Sequence, residues 1–365
     1  MRALLSRVGF ATSEQTVALQ PKTAQTAAAA AAAATRVKHV FQACAAASAL
    51  VLIGMGVALQ AQAQSAAAPT VAAQSGQRYE FVQLKGSTNV PLNPQKVVVF
   101  DLATLDMLDA LGVDAEVAVP AFKMPEHLKA YEAASVPKVG SLFEPNYEAI
   151  RVFSPEVIFI GRRSEARQAE LAKLGPTVDM AIDESNAVES VFANLRKLGE
   201  LFGKQGQAES LIQQAQSEIE DLKAITPHAG KAMLLLVSGG RINSYGPGSR
   251  MGVLFDSYGV QPAQANSGDA RHGQSISFEF ILQANPDWLL VLDRDSAIGR
   301  EGAAAERLLD NGLIKATNAG KQSQIVYLNA TNWYVLDNAG ITALRQNVRQ
   351  LHQVFAKTAG GTATQ

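Results

Sequence analysis

A single cysteine, Cys44, stands in a chain of 365 residues. It lies in a leader-like stretch, so the chain beyond it can build neither a disulfide framework nor a thiolate metal site. Histidine is also scarce. His127, His228, His272 and His352 are scattered and show none of the short spacings of a zinc site. The formal net charge is −1, so no basic excess points to nucleic acid as a partner. The sequence has no nucleophile elbow and no phosphate loop. Gly239-Gly240-Arg241 and Gly246-Pro247-Gly248 lack the spacing of nucleotide motifs. Catalysis is therefore not expected.

What is present begins with an export signal. Arg36, Val37, Lys38 and His39 form a basic patch, an apolar stretch runs from about Ala45 to Leu59, and Ala61-Gln62-Ala63 follows. Charge, apolar run and small residues in that order read as a secretory signal. The run is short for a membrane span and gives way to a polar Ala/Gln/Ser stretch, which argues against a retained anchor. Cys44 precedes the run, whereas a lipoprotein cysteine follows it, so a soluble product cleaved near Ala63 is expected. Residues 1–35, with their alanine tract from Ala27 to Ala34, read either as a long leading region of the signal or as a start codon set too early.

Beyond a small, polar tail at 64–78, strand-like and helix-like segments alternate. Val97-Val98-Val99-Phe100 reads as a buried strand, and Leu102, Leu105, Leu108 and Leu111 follow at helical spacing up to Gly112. Val157–Ile160 reads as a second strand, with helix expected over Ala166–Leu174. Met233–Val237, Leu289–Leu292 and Ile325–Leu328 read as later strands. Such alternation argues for α/β architecture with mainly parallel sheets. From about Gln207 to Ile225 a long helix interrupts it, with Ala208, Leu211, Ala215, Ile219 and Leu222 on one face and Pro227 as its stop. Asn186 with Glu189 reads as a capping box for the helix before it. The expected division is a signal segment 1–63, a tail 64–78, an N-terminal α/β lobe 79–205, a linking helix 206–226, a C-terminal α/β lobe 227–358 and a tail 359–365.

The two halves carry an internal repeat. Tyr147-Glu148-x-Ile150, then Pro155-Glu156, a strand and Arg163 stand in one half. Phe278-Glu279-x-Ile281, then Pro286-Asp287, a strand and Arg294 stand in the other, each pair offset by the same interval without a gap. In open α/β sheets, ligands bind beyond the carboxyl ends of strands. Two facing lobes would put Arg163 and Arg294 on opposite walls of one cleft, the usual home of a small-molecule site.

With these features the chain resembles the class III, helical-backbone periplasmic binding proteins of ABC importers, and within them the subgroup that binds ferric catecholate siderophores. The resemblance covers about residues 80–357. Its most specific stretches are Asn243–Gly252, His272–Glu279, Leu292-Asp293-Arg294 and Asn332-Trp333-Tyr334. It implies two Rossmann-like lobes joined by one long α-helix, with the ligand cleft between them. It further implies a periplasmic, monomeric carrier without an intrinsic cofactor, which delivers a ferric siderophore as cargo to an inner-membrane ABC permease with its ATPase. By the same resemblance, Arg163, Arg250 and Arg294 line the cleft, His272 and Tyr334 can complete the iron shell, and Glu148 and Glu279 dock on the permease. Arg162 competes with Arg163 for the first position; the internal repeat favours Arg163. Arg250 is expected to open a helix after the glycine-rich turn, and Trp333, Met251 and Phe278 are expected to be packing residues. The chemistry agrees: iron(III) is a hard cation that favours oxygen donors, catecholates leave the chelate anionic, and guanidinium groups donate charge-assisted hydrogen bonds without losing their proton. Haem, cobalamin or a hydroxamate siderophore is the alternative cargo on the same fold. A siderophore-processing enzyme such as a chelatase or reductase, or a sensor subunit, is the alternative of another class.

Overall fold

The apolar runs of the sequence are strands buried on both faces, as expected where helices cover both sides of a parallel sheet. In the computed structural model, which describes residues 76–264, 273–300 and 304–359, two such sheets form. All the described residues fall in one compact unit, Val71–Gln365.

The N-terminal sheet contains β3 (Lys96–Val99), β4 (Glu116–Ala118), β5 (Val157–Ile160) and β6 (Thr177–Asp179). Its order is β4-β3-β5-β6 and every pair is parallel. A separate antiparallel hairpin of β1 (Arg78–Val82) and β2 (Ser87–Pro91) precedes it, so Arg78 begins a strand rather than ending a tail. The C-terminal sheet has β7 (Lys231–Ser238) and β11 (Trp288–Asp293) parallel at its centre, with β12 (Ile325–Tyr327) parallel to β11. β8 (Arg241–Tyr245) runs antiparallel to β7, β10 (Gln274–Ser275) antiparallel to β8, and the short β9 (Gln261–Pro262) pairs with β7.

Strand periodicity divides the core. Val97, Val99, Val157 and Phe159 of one sheet and Leu234, Leu236, Leu290 and Leu292 of the other point into one shared inner core. Their neighbours in sequence point away: Val98, Ile158 and Ile160 into an outer cluster of the first lobe, Met233, Leu235, Leu289 and Val291 into an outer cluster of the second. Alternation at a period of two thus makes each strand serve two cores.

The helices that matter here are α1 (Leu102–Ala110), α2 (Tyr147–Phe153), α3 (Ala187–Leu201), α4 (Gln205–Ile225), α5 (Phe278–Ala284), α6 (Arg294–Ala297) and α7 (Ile341–Ala359). α4, at 1.5 Å per residue about 30 Å long, begins two residues before the sequence pattern does. It buries Ala208, Ile212, Ala215, Ile219 and Leu222; Ile212, not Leu211, fills the second place on that face. α7 crosses the molecule and packs on both α4 and α1. Its N-terminus is capped from the other half of the chain. Asp106 of α1, fully buried, accepts from the amides of Thr342 (2.7 Å) and Ala343 (3.0 Å) and lies 2.8 Å from His127 Nε2.

The internal repeat is structural. α2 is capped by Asn146, which accepts from the Ala149 amide, and α5 by Ser277, which accepts from the Phe280 amide. Both helices end in a left-handed residue, Ser154 (φ 55°) and Asn285 (φ 42°). The repeated acid then performs one task twice. Glu156 accepts from the amides of Gln95 and Lys96 at the start of β3, and Asp287 accepts from the amide of Lys231 at the start of β7.

Three local expectations are corrected. Ala166–Leu174 holds only a single turn of α-helix, Gln168–Leu171, because Leu171 alone of that turn is buried and no apolar face sustains more. Asn186 stands at the N-cap of α3 but its side chain makes no capping bond. A 3₁₀ turn, Glu184–Asn186, intervenes, and Asp183 caps that turn through the Ser185 amide. Arg250 does not open a helix: it sits in the turn ahead of the short helix Val253–Asp256, whose N-cap is Gly252.

Candidate functional site

Three arginines from distant segments converge on one phenol. Arg163 follows β5, Arg250 lies in the turn after β8, and Arg294 is the first residue of α6 at the end of β11. Their guanidinium carbons stand 5.7, 5.0 and 5.4 Å from the centre of the Tyr334 ring, within the range of a cation–π contact. Arg294 Nε donates to the Tyr334 hydroxyl (2.7 Å) and Arg294 Nη1 to Ser238 Oγ (3.3 Å). Arg250 Nη2 donates to the Tyr334 carbonyl (3.1 Å). Arg163 reaches the same carbonyl (2.6 Å) and that of Val335 (2.7 Å). Arg163 and Arg250 are held by the backbone under the tyrosine as well as by its ring.

The backbone that presents Tyr334 is unusual. Thr331–Val335 is a single π-helical turn, a rare geometry often found at functional sites. Trp333 anchors it, 1% exposed and edge-on to Tyr258, which fits its reading as packing; Met251 is buried likewise.

Sequence reasoning missed Asp337. Its carboxylate accepts from Arg162 Nη2 at 3.0 and 3.1 Å and from Arg250 Nε at 3.2 Å. Arg250 Nη2 also bonds it, and Arg163 Nη1 lies 3.5 Å away. Burial pushes the Asp337 carboxyl up, but Arg163, Arg250 and Arg162 together outweigh burial and hold it below its ordinary range. Both Arg162 and Arg163 reach this carboxylate, but of the two only Arg162 lines the cavity between the lobes, against the preference for Arg163. Arg163 is the more enclosed, its side chain 15% exposed against 40% for Arg162.

Beside this cluster a cavity of about 310 Å³ opens between the lobes. Asp101, Gly161 and Arg162 line it from the N-terminal side, Arg250, Leu336 and Asp337 from the C-terminal side. Asp101 was also not foreseen. It caps α1 by accepting from the amide (2.9 Å) and hydroxyl (2.7 Å) of Thr104. Burial raises its pKa from 3.8 to about 6, against the Thr104 bonds that lower it; the Asp337 charge adds to the rise and Arg163 opposes it. Gly161 makes room for this carboxylate: a Cβ there would stand 2.5 Å from Asp101 Oδ1. A side chain at 161 would push Asp101 away from the turn that carries Arg162 and Arg163.

His272 lies outside the described residues. Glu148 and Glu279 are both exposed, each second in its helix, α2 and α5. The structure brings together Arg163, Arg250, Arg294 and Tyr334, and the two glutamates stand apart from them on the repeat-related helices.

A centre rich in guanidinium groups, lying between two α/β lobes joined by a long helix, is the arrangement of a solute-binding protein, and comparison with known proteins agrees. The family described as "Periplasmic binding protein" matches residues 97–331. The chain belongs to this family. It is 34% identical over 275 residues to the petrobactin-binding protein YclQ of Bacillus subtilis, covering 75% of this chain and 86% of that one. It is 32% identical over 266 residues to the ferric-anguibactin-binding protein FatB of Vibrio anguillarum, covering 71% and 82%. Among solved structures, it superposes on the periplasmic catecholate-siderophore binding protein VctP of Vibrio cholerae with a TM-score of 0.72 at 32% identity, over 76% of this chain and all of that one.

Proposed function

We propose that this protein captures an anionic iron(III)–siderophore chelate, of catecholate type, between its lobes and presents it to an ABC permease. The observation that carries the reading is the convergence of Arg163, Arg250 and Arg294 on Tyr334, with Arg250 also lining the interlobe cavity. Guanidinium forks suit catecholate oxygens, which retain negative charge on the metal. The relatives named for ferric siderophores support the cargo class. A chelator offering four oxygens leaves two octahedral positions, which the Tyr334 phenol and the His272 imidazole would fill. The role is binding without turnover. Export with cleavage near Ala63, and docking through Glu148 and Glu279, complete the proposed cycle.

Titration of intrinsic fluorescence tests the cargo. A ferric catecholate should bind with submicromolar affinity, while a ferric hydroxamate and cobalamin should not. Flat catecholate curves, or a preference for either competitor, would reject the reading. Release or reduction of iron by the purified protein alone would favour an enzyme instead. The role of Tyr334 has its own signature: in Tyr334→Phe the charge-transfer absorption of the bound iron complex should shift, and an unchanged spectrum would remove this residue from the iron shell.

A further inference from the structure

The cationic centre already contains an anion, and it belongs to the protein. We propose that Asp337 is an internal counter-anion that occupies the guanidinium donors in place of cargo oxygens and thereby sets the affinity for anionic cargo low enough for release. The proposal rests on the reading of the cargo as an anionic chelate and deepens it.

Asp337 bridges the lobes as a cargo anion would. Arg162 and Arg163 approach it from the end of β5 in the N-terminal lobe, Arg250 from the C-terminal lobe. Two of its partners, Arg162 and Arg250, line the interlobe cavity together with Asp337 itself. A chelate entering that cavity meets guanidinium groups whose donors are already engaged, and must exchange with the carboxylate to use them.

The carboxylate is placed there by a built loop. Asp337 and Asn338 are consecutive left-handed residues, φ 52° and 54°. Such conformations are unfavourable outside glycine and persist where the surroundings impose them. The imposing groups are buried. Asn338 donates from Nδ2 to the Tyr258 hydroxyl (2.8 Å) and accepts at Oδ1 from Asn347 Nδ2 (2.7 Å). Tyr258 and Asn347 are 0% exposed and Asn338 5%. A polar network in the core thus holds Asn338 in a strained turn, and the turn aims its neighbour at the arginines. Arg162, Arg163 and Arg250 with no internal anion would bind a polyanionic chelate very tightly and repel one another when it left. With Asp337 present, the departing cargo is replaced by a carboxylate that takes the same donors.

The test uses Asp337→Asn, which keeps the shape and removes the charge, in the mature protein. Binding of the iron(III) complex of 2,3-dihydroxybenzoate is measured by fluorescence, and binding of inorganic sulfate by the shift in melting temperature. The variant should bind the ferric complex at least about tenfold more tightly than the parent, mainly through slower dissociation, because a buried charge has been withdrawn from the competition. Sulfate should raise the melting temperature of the variant by more than it raises that of the parent, and should compete with the ferric complex more strongly in the variant. Should the variant be unstable, the sulfate arm still decides. A site with uncompensated arginines is restored by an added anion, whereas a residue needed only for packing is not. A folded variant that binds the ferric complex equally or more weakly, with no added response to sulfate, would make Asp337 a positioning residue and overturn the proposal. A parent protein that ignores the ferric catecholate while the variant still gains a sulfate response would instead sink the cargo reading and leave the counter-anion standing.

Discussion

Arg294 donates to both Tyr334 and Ser238 and leaves Asp337 to the other arginines, so on the proposed reading its loss would remove cargo contacts without disturbing the internal ion cluster. Arg294→Ala should weaken anionic cargo by about 1–3 kcal/mol, the range of a hydrogen bond to a charged group; titration of the variant against the parent measures it, and an unchanged affinity would exclude Arg294 from the site. Asp101 gives a prediction in pH. Its folded pKa of about 6 lies above the ordinary 3.8, so the folded state holds the proton more tightly than the unfolded chain does. Its favourable contribution is complete below pH 3.8 and is lost as pH rises through about 6, a difference of about 3 kcal/mol. Asp101→Asn keeps a residue that caps helices well but cannot ionise. Denaturation midpoints of the variant should gain on those of the parent between pH 4.5 and pH 7.5; a constant difference across that interval would contradict the shifted pKa. Neither Asp101 nor Asp337 was legible in the sequence. The repeat marks positions that recur, and it ends before both Tyr334 and Asp337, whose counterparts at the repeat interval are Gly203 and Gly206. Arg163 and Arg294 were legible because they occupy equivalent strand ends.

The elements that could be read from pattern are those with long apolar runs. β3, β5, β7 and β11 fill two cores each, so their interior residues are all apolar, with polar residues only at strand ends, and the run is unmistakable. β4 escaped notice because Glu116-Val117-Ala118 is short and carries an acid. The helix expected over Ala166–Leu174 shrank for the converse reason: helical composition without a buried face does not hold a helix in place. Capping across the fold is the least legible feature. α7 begins at Ile341 with no polar cap of its own nearby, and its first amides are satisfied by Asp106, which lies 236 residues earlier. Asp106→Ala should therefore destabilise the protein by about 2–4 kcal/mol, combining a lost cap with buried donors left unpaired. Chemical denaturation reads this directly. A loss below about 0.5 kcal/mol, the level of an ordinary surface change, would show that water or another group replaces the cap.

At the scale of the whole molecule, several connections tie the lobes besides the Asp337 ion cluster. α4 links the sheets as a single helix, α7 packs across to α1 under the Asp106 cap, and Arg163 donates to the carbonyls of Tyr334 and Val335 on the far wall. The two-sheet layout and the linking helix were legible because an internal repeat and one long helical run are features of order along the chain. The crossing of α7 was not, since it depends on a contact between the two ends of the described fold. Two helices in parallel leave little freedom for a hinge, whose residues must absorb large changes in φ and ψ. Cargo binding should then move the lobes by small adjustments rather than by wide closure. Small-angle scattering of the mature protein with and without a ferric catecholate should give closely matching radii of gyration, since preorganised partners move their backbone by about 1 Å or less on binding. In Asp106→Ala, with α7 freed at its capped end, the ligand-free form should become measurably more extended while the loaded form stays close to the parent. A parent protein that contracts by several ångströms on loading would mean that the helices flex and that the arginine contacts across the cleft form only around the cargo.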